Sequence, residues 1–428
     1  MKQDWGEIIS DGINDPGSLP HATALRLIHS PGALRLLGWV APHISRISAP
    51  CRPSASFILE LIRRLYSEHP ERVIWASVFT PCELFWGLGL TPFYPEVAAA
   101  AGASLGLSPR ALSRASEAGT PVDLCTYHRA ALGLTRSGFF PPAAAFVSTS
   151  HLCSLAGIML AADAHRQGKP FWMVDVPPTF DSGALDYVEA QLETLVGELC
   201  EATGTHYNPD RMREAIHLSN EARALAVEFN SLRAYRPAPL RGGAMLGALG
   251  LGIWSLGHPE GIKHFRAWRN YTEGLVYRGK PEQTNQKIRL FWMHLRPFAE
   301  NSLIKHLEDD LGGVIAFEEY NTIWWDALDE SRPLRALAAK ILGHPSNGPV
   351  VRRLDMILDS VARYHCDGVV HFSHWGCRQA AGAVRVIRDR LRREGIPMLE
   401  LDGDCIDPTN VQIGPLRTRI EAFVETLV

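Results

Sequence analysis

The sequence predicts an α/β chain built on parallel sheets, and three observations carry that reading. Apolar runs of strand length alternate with helical segments twice along the chain, between about residues 71 and 178 and again from 286 to the end. Glycine and proline punctuate the alternation, as Gly168 does after SLAGIMLAADAHRQ. The chain of 428 residues, 46% hydrophobic and 21% charged, is large enough to bury a substantial core and to form two or three domains.

Residues 1–70 read as a helical N-terminal segment, with apolar periodicity clearest in SASFILELIRRLYSE. A first α/β domain with a helical extension is expected over 71–235. In it ERVIWASVF reads as a buried strand, TPCEL as a turn, ELFWGLGL as a helix and TPFYP as a short extended run. AAFVSTSHLCS is the next strand, then the helix closed by Gly168, then KPFWMVDVPP as a further strand. Two long amphipathic helices follow, through YVEAQLETLVGELCEATG and NPDRMREAIHLSNEARALAVEFNSLR.

Residues 236–285 are mixed, edged by Pro and Gly, and read as a connecting segment. Within it GGAMLGALGLGIWSLG (242–257) is shorter than the roughly 20 apolar residues of a spanning helix and rich in glycine, so a buried helix is expected. Gly247, Gly250 and Gly252 do not form the GxGxxG pattern of a dinucleotide site and suit close helix packing. The second α/β domain, 286–428, has the clearest rhythm. QKIRLFWM, VIAFEEY, DGVVHFSH and PMLELDGD are strands; NSLIKHLEDDLGG, stopped at Gly313, VVRRLDMILDSVARYHC and CRQAAGAVRVIRDRLRREG are the helices between them. Short connections make this half a doubly wound, flavodoxin-like sheet.

A net charge of −3 and an isoelectric point near 6.6 argue against a polyanion-binding surface, and no basic block is interleaved with aromatics. RVIRDRLRREG reads as the solvated face of an amphipathic helix. Nucleic acid and membrane partners are not expected. The opening MKQDWGEIISDGINDPG lacks the basic and apolar stretches of an export signal, so a cytoplasmic setting is expected. Eight cysteines are too sparse for a disulfide framework and suit metal binding better.

Three of them stand out: Cys125 in DLCTYHRAALG, Cys153 in STSHLCSLAG and Cys377 in HFSHWGCRQAAG. Each is expected beside the end of a strand-like run, where an α/β fold faces a ligand crevice. They lie 28 and 224 residues apart, which matches neither a compact ferredoxin run nor a zinc ribbon. A site made from them, an iron-sulfur cluster for example, has to be assembled by the tertiary fold. His371, His374 and Trp375 flank Cys377, and His151 precedes Cys153; these histidines are candidates for hydrogen bonding to sulfur or for acid-base work, against the plainer reading of loop histidines. His128 and Arg129 follow Cys125 at the start of a helix whose N-terminal amides would favour a thiolate. Cys405 reads as a structural residue at a strand end, and Cys51, Cys200 and Cys366 as core residues of helical patterns.

These stretches resemble the 2-hydroxyacyl-CoA dehydratase and benzoyl-CoA reductase family. The likeness runs through TPCELFWGLGLTPFYPE, DLCTYHRAALG, HLCS with FWMVDVPP, SNEARALAVEFNSLR and HFSHWGCRQ with GIPMLELDGDCID, over roughly residues 70 to 428. It implies two flavodoxin-like doubly wound parallel-sheet domains with a [4Fe-4S] cluster in the cleft between them, held by Cys125, Cys153 and Cys377. Three ligands leave one iron open, as catalysis by a Lewis-acidic metal requires. Cys82 and Glu83 occupy the turn motif near that open iron, where a paired acidic residue is common in the family, and with His374 they are the catalytic candidates. An ordinary turn is the alternative for Cys82 and Glu83.

The chemistry implied is one-electron reduction of a 2-hydroxyacyl-CoA thioester, whose ketyl-like radical anion expels the 2-hydroxyl group; a benzoyl-CoA reductase-like chain would deliver the electron to an aromatic ring instead. The resemblance also implies a related partner subunit or a second copy of the chain. The sequence has no GxxxxGK[ST] loop, so a separate ATP-hydrolysing iron-sulfur activator is implied. An electron-transfer or double-cluster protein without CoA chemistry, which would need more cysteines at the cleft, is the second alternative, and a non-catalytic subunit without a cluster is the third.

Overall fold

The computed structural model describes residues 49–243 and 254–428, with residues 26, 30, 245 and 252. Most of the helical segment expected before residue 49, and half of the buried helix expected over 242–257, with Gly247 and Gly250, lie outside the described residues. Helix α1 (Arg52–Arg63) overlaps SASFILELIRRLYSE, starting two residues before it, and turns Phe57 and Leu61 into the core.

The first sheet grows from strands β1 (Val73–Ala76), β2 (Thr91–Phe93), β3 (Ala145–Thr149) and β4 (Phe171–Val174). They pair in the order β2-β1-β3-β4, all parallel. β1, β2 and β3 are buried at every position, which is why their sequences read as continuous apolar runs. Helix α2 (Cys82–Gly87) joins β1 to β2, and α3 (Pro95–Ser104), α4 (Ser108–Glu117) and α5 (Thr126–Arg136) fill the crossover to β3. α6 (Ser154–Gln167) crosses to β4 and ends at Gly168 in the left-handed conformation (φ +61°), as its glycine predicts. The two long helices follow as α7 (Ser182–Thr203), capped by the Asp181 side chain, and α8 (Pro209–Leu232), capped by Asn208. α9 (Pro259–Arg278) packs along α8.

The second sheet repeats the plan. Strands β5 (Ile288–Met293), β6 (Gly313–Glu318), β7 (Gly368–His374) and β8 (Met398–Gly403) pair in the order β6-β5-β7-β8, again all parallel. Both sheets therefore have the 2-1-3-4 order of a doubly wound fold. In each the order reverses between the first and third strands, and the carboxyl ends there border the crevice in which such folds bind ligands. The connecting helices are α10 (Ser302–Lys305), α11 (Pro333–Leu342), α12 (Val350–Arg363), α13 (Arg378–Gly382), α14 (Val384–Arg393) and α15 (Ile413–Leu427).

Three local expectations change. The helix expected to stop at Gly313 stops at Gly312, whose φ of +77° needs a glycine, and Gly313 already opens β6. The single helix expected over 377–395 is divided at Ala383 into α13 and α14. Cys125 does not stand at a strand end. The β2-to-β3 crossover holds three helices, and Cys125 comes from the loop between the second and third of them.

Candidate active site

Cys125, Cys153 and Cys377 occupy the same local position: each is the residue before the first turn of a helix, α5, α6 and α13, in extended backbone or close to it. Cys153 and Cys377 reach it from the carboxyl ends of β3 and β7, the third strand of each sheet. A helix start presents unpaired amides and the positive end of the peptide dipoles, a setting that favours a thiolate. Burial pushes the Cys125 thiol well up and the Cys153 thiol up to about 11; the amides of Tyr127 and His128, and of Ala156 and Leu155, pull the other way. The charges of the other cysteines contribute to both upward shifts, so the thiols sense one another. Gly376 sets the closest approach. A Cβ there would lie 3.1 Å from the Cys125 backbone, and its φ is +78°, so the Cys377 loop lies against Cys125 only because this residue is glycine.

Each of the three sulfurs also faces a histidine. Cys125 Sγ is 3.3 Å from His374 Nε2, Cys153 Sγ is 3.5 Å from His128 Nε2, and Cys377 Sγ is 3.7 Å from His294 Nε2. Burial lowers the basicity of all three imidazoles, His128 down to about 4. His294 and Leu152 have φ values of +68° and +66°. They are two of the three described non-glycine residues in the left-handed region, and both border this site, where backbone strain is commonly retained.

The turn after β1 supplies a second polar cluster. Cys82 is buried and its thiol donates to the Leu256 carbonyl at 3.0 Å. Glu83 is fully buried; its Oε1 accepts from Lys340 Nζ at 2.6 Å and from Ser219 Oγ at 2.7 Å, while its Oε2 has no hydrogen-bond partner. Lys340 lies 4.2 Å from the centre of the Trp325 ring. Cys82, Glu83, Cys125, Cys153, His374 and Cys377 all line one cavity of about 920 Å³. Much of the remaining wall is aromatic. Phe79 contacts the rings of His151 and His344, and Trp324 lies 4.4 Å from His344.

Other residues fall elsewhere. His374 faces Cys125 and not the neighbouring Cys377. His371 is buried in β7 with both ring nitrogens unpartnered, and Trp375 is about half exposed. Arg129 holds the loop before Cys125 through the Val122 carbonyl and the Ser116 hydroxyl. Cys51, Cys200, Cys366 and Cys405 do not line the cavity. His294 and Lys340 stand in none of the motifs quoted from the sequence, and Ser219 opens SNEARALAVEFNSLR without being singled out. His294 directly follows β5, and Lys340 is a lone charge beside Leu337, Ala338 and Ile341; these were the available signals.

Glu96, in the first turn of α3, also lines the cavity; neither carboxyl oxygen has a hydrogen-bond partner, and burial pushes it up to about 7. Among the described residues no group of three or more His, Cys, Asp or Glu side chains could hold a single metal ion. No helix among them is long and apolar enough to cross a membrane.

Paired 2-1-3-4 sheets with cysteine-bearing helix starts at one cavity define a class of α/β protein whose ligand site is assembled from both halves of the chain. The chain belongs to the family described as 2-hydroxyglutaryl-CoA dehydratase, D-component, whose model matches residues 77–427. It is 24% identical to the (R)-phenyllactyl-CoA dehydratase alpha subunit of Clostridium sporogenes over 84% of this chain and 91% of that protein. The (R)-2-hydroxyisocaproyl-CoA dehydratase alpha subunit of Clostridioides difficile is also 24% identical, with the same coverage. So is a benzoyl-CoA reductase subunit of Thauera aromatica, over 84% of this chain and 89% of that protein.

Proposed function

We propose that this chain is the iron-sulfur subunit of a 2-hydroxyacyl-CoA dehydratase-type enzyme, with Cys125, Cys153 and Cys377 as ligands of a [4Fe-4S] cluster. One observation carries the reading: thiols 28 and 224 residues apart in sequence line one cavity, each at a helix start. The donor set fits such a group, since three thiolates at amide-rich helix starts suit iron-sulfur ligation. When bound, the cluster supplies a low-potential electron to the thioester carbonyl, which lets the 2-hydroxyl group depart.

The chain's own residues bind, orient and manage protons. Glu83, fixed through Oε1 by Lys340 and Ser219 and with Oε2 unpartnered, lines the cavity and is assigned to the substrate hydroxyl. Cys82 supports that turn through its bond to Leu256 and stays the second candidate beside it. His374 is engaged by Cys125 on one ring nitrogen and by the Cys405 amide on the other, so its role is to position, not to transfer protons. The aromatic wall excludes water from the acyl group. The relatives are each named as one subunit of an enzyme, which supports a related partner subunit; an ATP-hydrolysing activator and a cytoplasmic setting complete the proposal. The match to the benzoyl-CoA reductase chain supports a second reading, an aromatic CoA thioester reductase. Turnover of 2-hydroxyacyl-CoA or of benzoyl-CoA by the complete complex separates the two.

Anaerobic purification of the full chain, with iron and sulfide analysis, tests the cluster. About four irons per chain are expected, with charge-transfer absorption that Ala at Cys125, Cys153 or Cys377 abolishes and Ala at Cys200 or Cys366 preserves. A colourless, iron-free wild-type chain, or equal loss at all five positions, overturns the proposal.

A further inference from the structure

Of the three histidines that face the three sulfurs, His128 and His294 have no role in the reading above, and His374 only that of positioning. We infer that His374, His128 and His294 form a collar of N–H···S hydrogen bonds, one to each ligand thiolate, which raises the reduction potential of the cluster. The inference rests on the cluster reading above and goes beyond it by assigning residues that are not ligands.

The decisive contact is at His374. Its Nδ1 accepts a hydrogen bond from the Cys405 backbone amide at 3.1 Å. An amide N–H can only donate, so in the neutral imidazole Nδ1 is bare and the ring proton resides on Nε2. Nε2 is the atom 3.3 Å from Cys125 Sγ. A thiol proton has no acceptor there, so sulfur is the acceptor in this contact, a weak one as a thiol and a strong one as a metal-bound thiolate. The same logic holds at Cys377. His294 Nε2 stands 3.2 Å from Gln379 Oε1, which can only accept and so makes this nitrogen the donor, and 3.7 Å from the Cys377 sulfur, which shares the same proton. His128 Nε2 stands 3.5 Å from Cys153 Sγ.

The collar is cross-linked in sequence. His374, three residues before Cys377, serves Cys125; His128, three residues after Cys125, serves Cys153; His294, at the end of β5, serves Cys377. Each sulfur is thus oriented by a different segment from the one that carries it. An N–H dipole aimed at sulfur stabilises the extra negative charge of the reduced cluster more than the oxidised form, and so shifts the potential upward.

The test uses the full chain, reconstituted anaerobically with iron and sulfide and titrated electrochemically with EPR detection. His374→Leu, His128→Leu and His294→Leu should keep about four irons and move the midpoint to more negative values. The expected change is a roughly tenfold smaller reduced-to-oxidised ratio at fixed potential in each, or about 59 mV for a one-electron couple. His374→Gln, whose amide can donate from a similar place, should recover much of the shift. Pulsed EPR of the reduced wild-type chain with ¹⁵N-labelled histidine is a second readout that needs no variant, and it should show histidine nitrogen couplings that the Leu variants lose. Iron-loaded Leu variants with unchanged midpoints, an equal shift in the Leu and Gln variants at His374, or no histidine coupling in the wild type each overturn the collar while leaving the cluster standing. A wild-type chain that takes up no iron overturns the cluster and the collar together.

Discussion

Glu83 and Lys340 show how much of the site depends on single side chains. A carboxylate and an ammonium group, both buried, meet at 2.6 Å across 257 residues of sequence, beside Ser219 and the Trp325 ring. Taking such a pair out of water is costly, and removing one partner leaves the other charge uncompensated, at about 3–5 kcal/mol. Lys340→Met should therefore lower stability by roughly that amount, read from urea unfolding midpoints. The double variant Glu83→Gln/Lys340→Met should recover a good part of the loss, and a double variant as unstable as Lys340→Met alone would sink the pairing account. Glu83 was singled out because TPCEL resembles the family's turn motif. Its partner was not, since nothing in PLRALAAKIL tells which distant carboxylate a lone lysine meets.

At the scale of elements, the start of α5 is held by close packing of α4 against α5. Gly133 makes that approach possible, for a Cβ on it would fall 1.8 Å from the Ala111 carbonyl oxygen, a backbone atom that cannot swing aside. Gly133→Ala gains helix propensity of about 1 kcal/mol but forces the two helices apart, and overpacking of this kind costs about 1–3 kcal/mol or more. A net loss of about 2 kcal/mol is expected by thermal or urea unfolding, and a variant as stable as the wild type would refute the contact. This crossover is also where the sequence was least informative. All strands but β4 and β8 were readable because burial on both faces makes them uninterrupted apolar runs, and Cys153 and Cys377 followed from the strand ends. Cys125 could be singled out, yet its placement on a loop between two helices could not be read, because the crossover's three helices lack a strand to mark the register. The π-helical turn His306–Asp310 after α10, and the break at Ala383, likewise follow from packing and leave no periodic signal.

At the scale of the whole molecule, the segment after α8 fastens onto the second sheet through buried polar contacts. Arg233, fully buried, pairs with Glu318 of β6 at 2.7 Å, and Gln283 donates to the carbonyls of Glu308 and Gly313. Glu308 itself accepts from the Gly243 amide at 3.1 Å. Burial pushes its carboxyl from an ordinary 4.5 up to about 7, against the pull of that amide and of Arg241. The folded chain therefore holds a proton that the unfolded chain releases earlier. The sign follows: this group's contribution to stability is fully present below about pH 4.5 and is lost as the pH rises through 7. A rise of that size corresponds to a loss on the order of 3 kcal/mol across that window. Glu308→Gln keeps an acceptor for Gly243 and has no proton to lose, so its stability relative to wild type should climb between pH 5 and 8 in urea unfolding. Parallel stability curves for the two proteins over that range would show that Glu308 ionises freely in the fold, and that the connecting segment docks without the strain of a buried carboxylate.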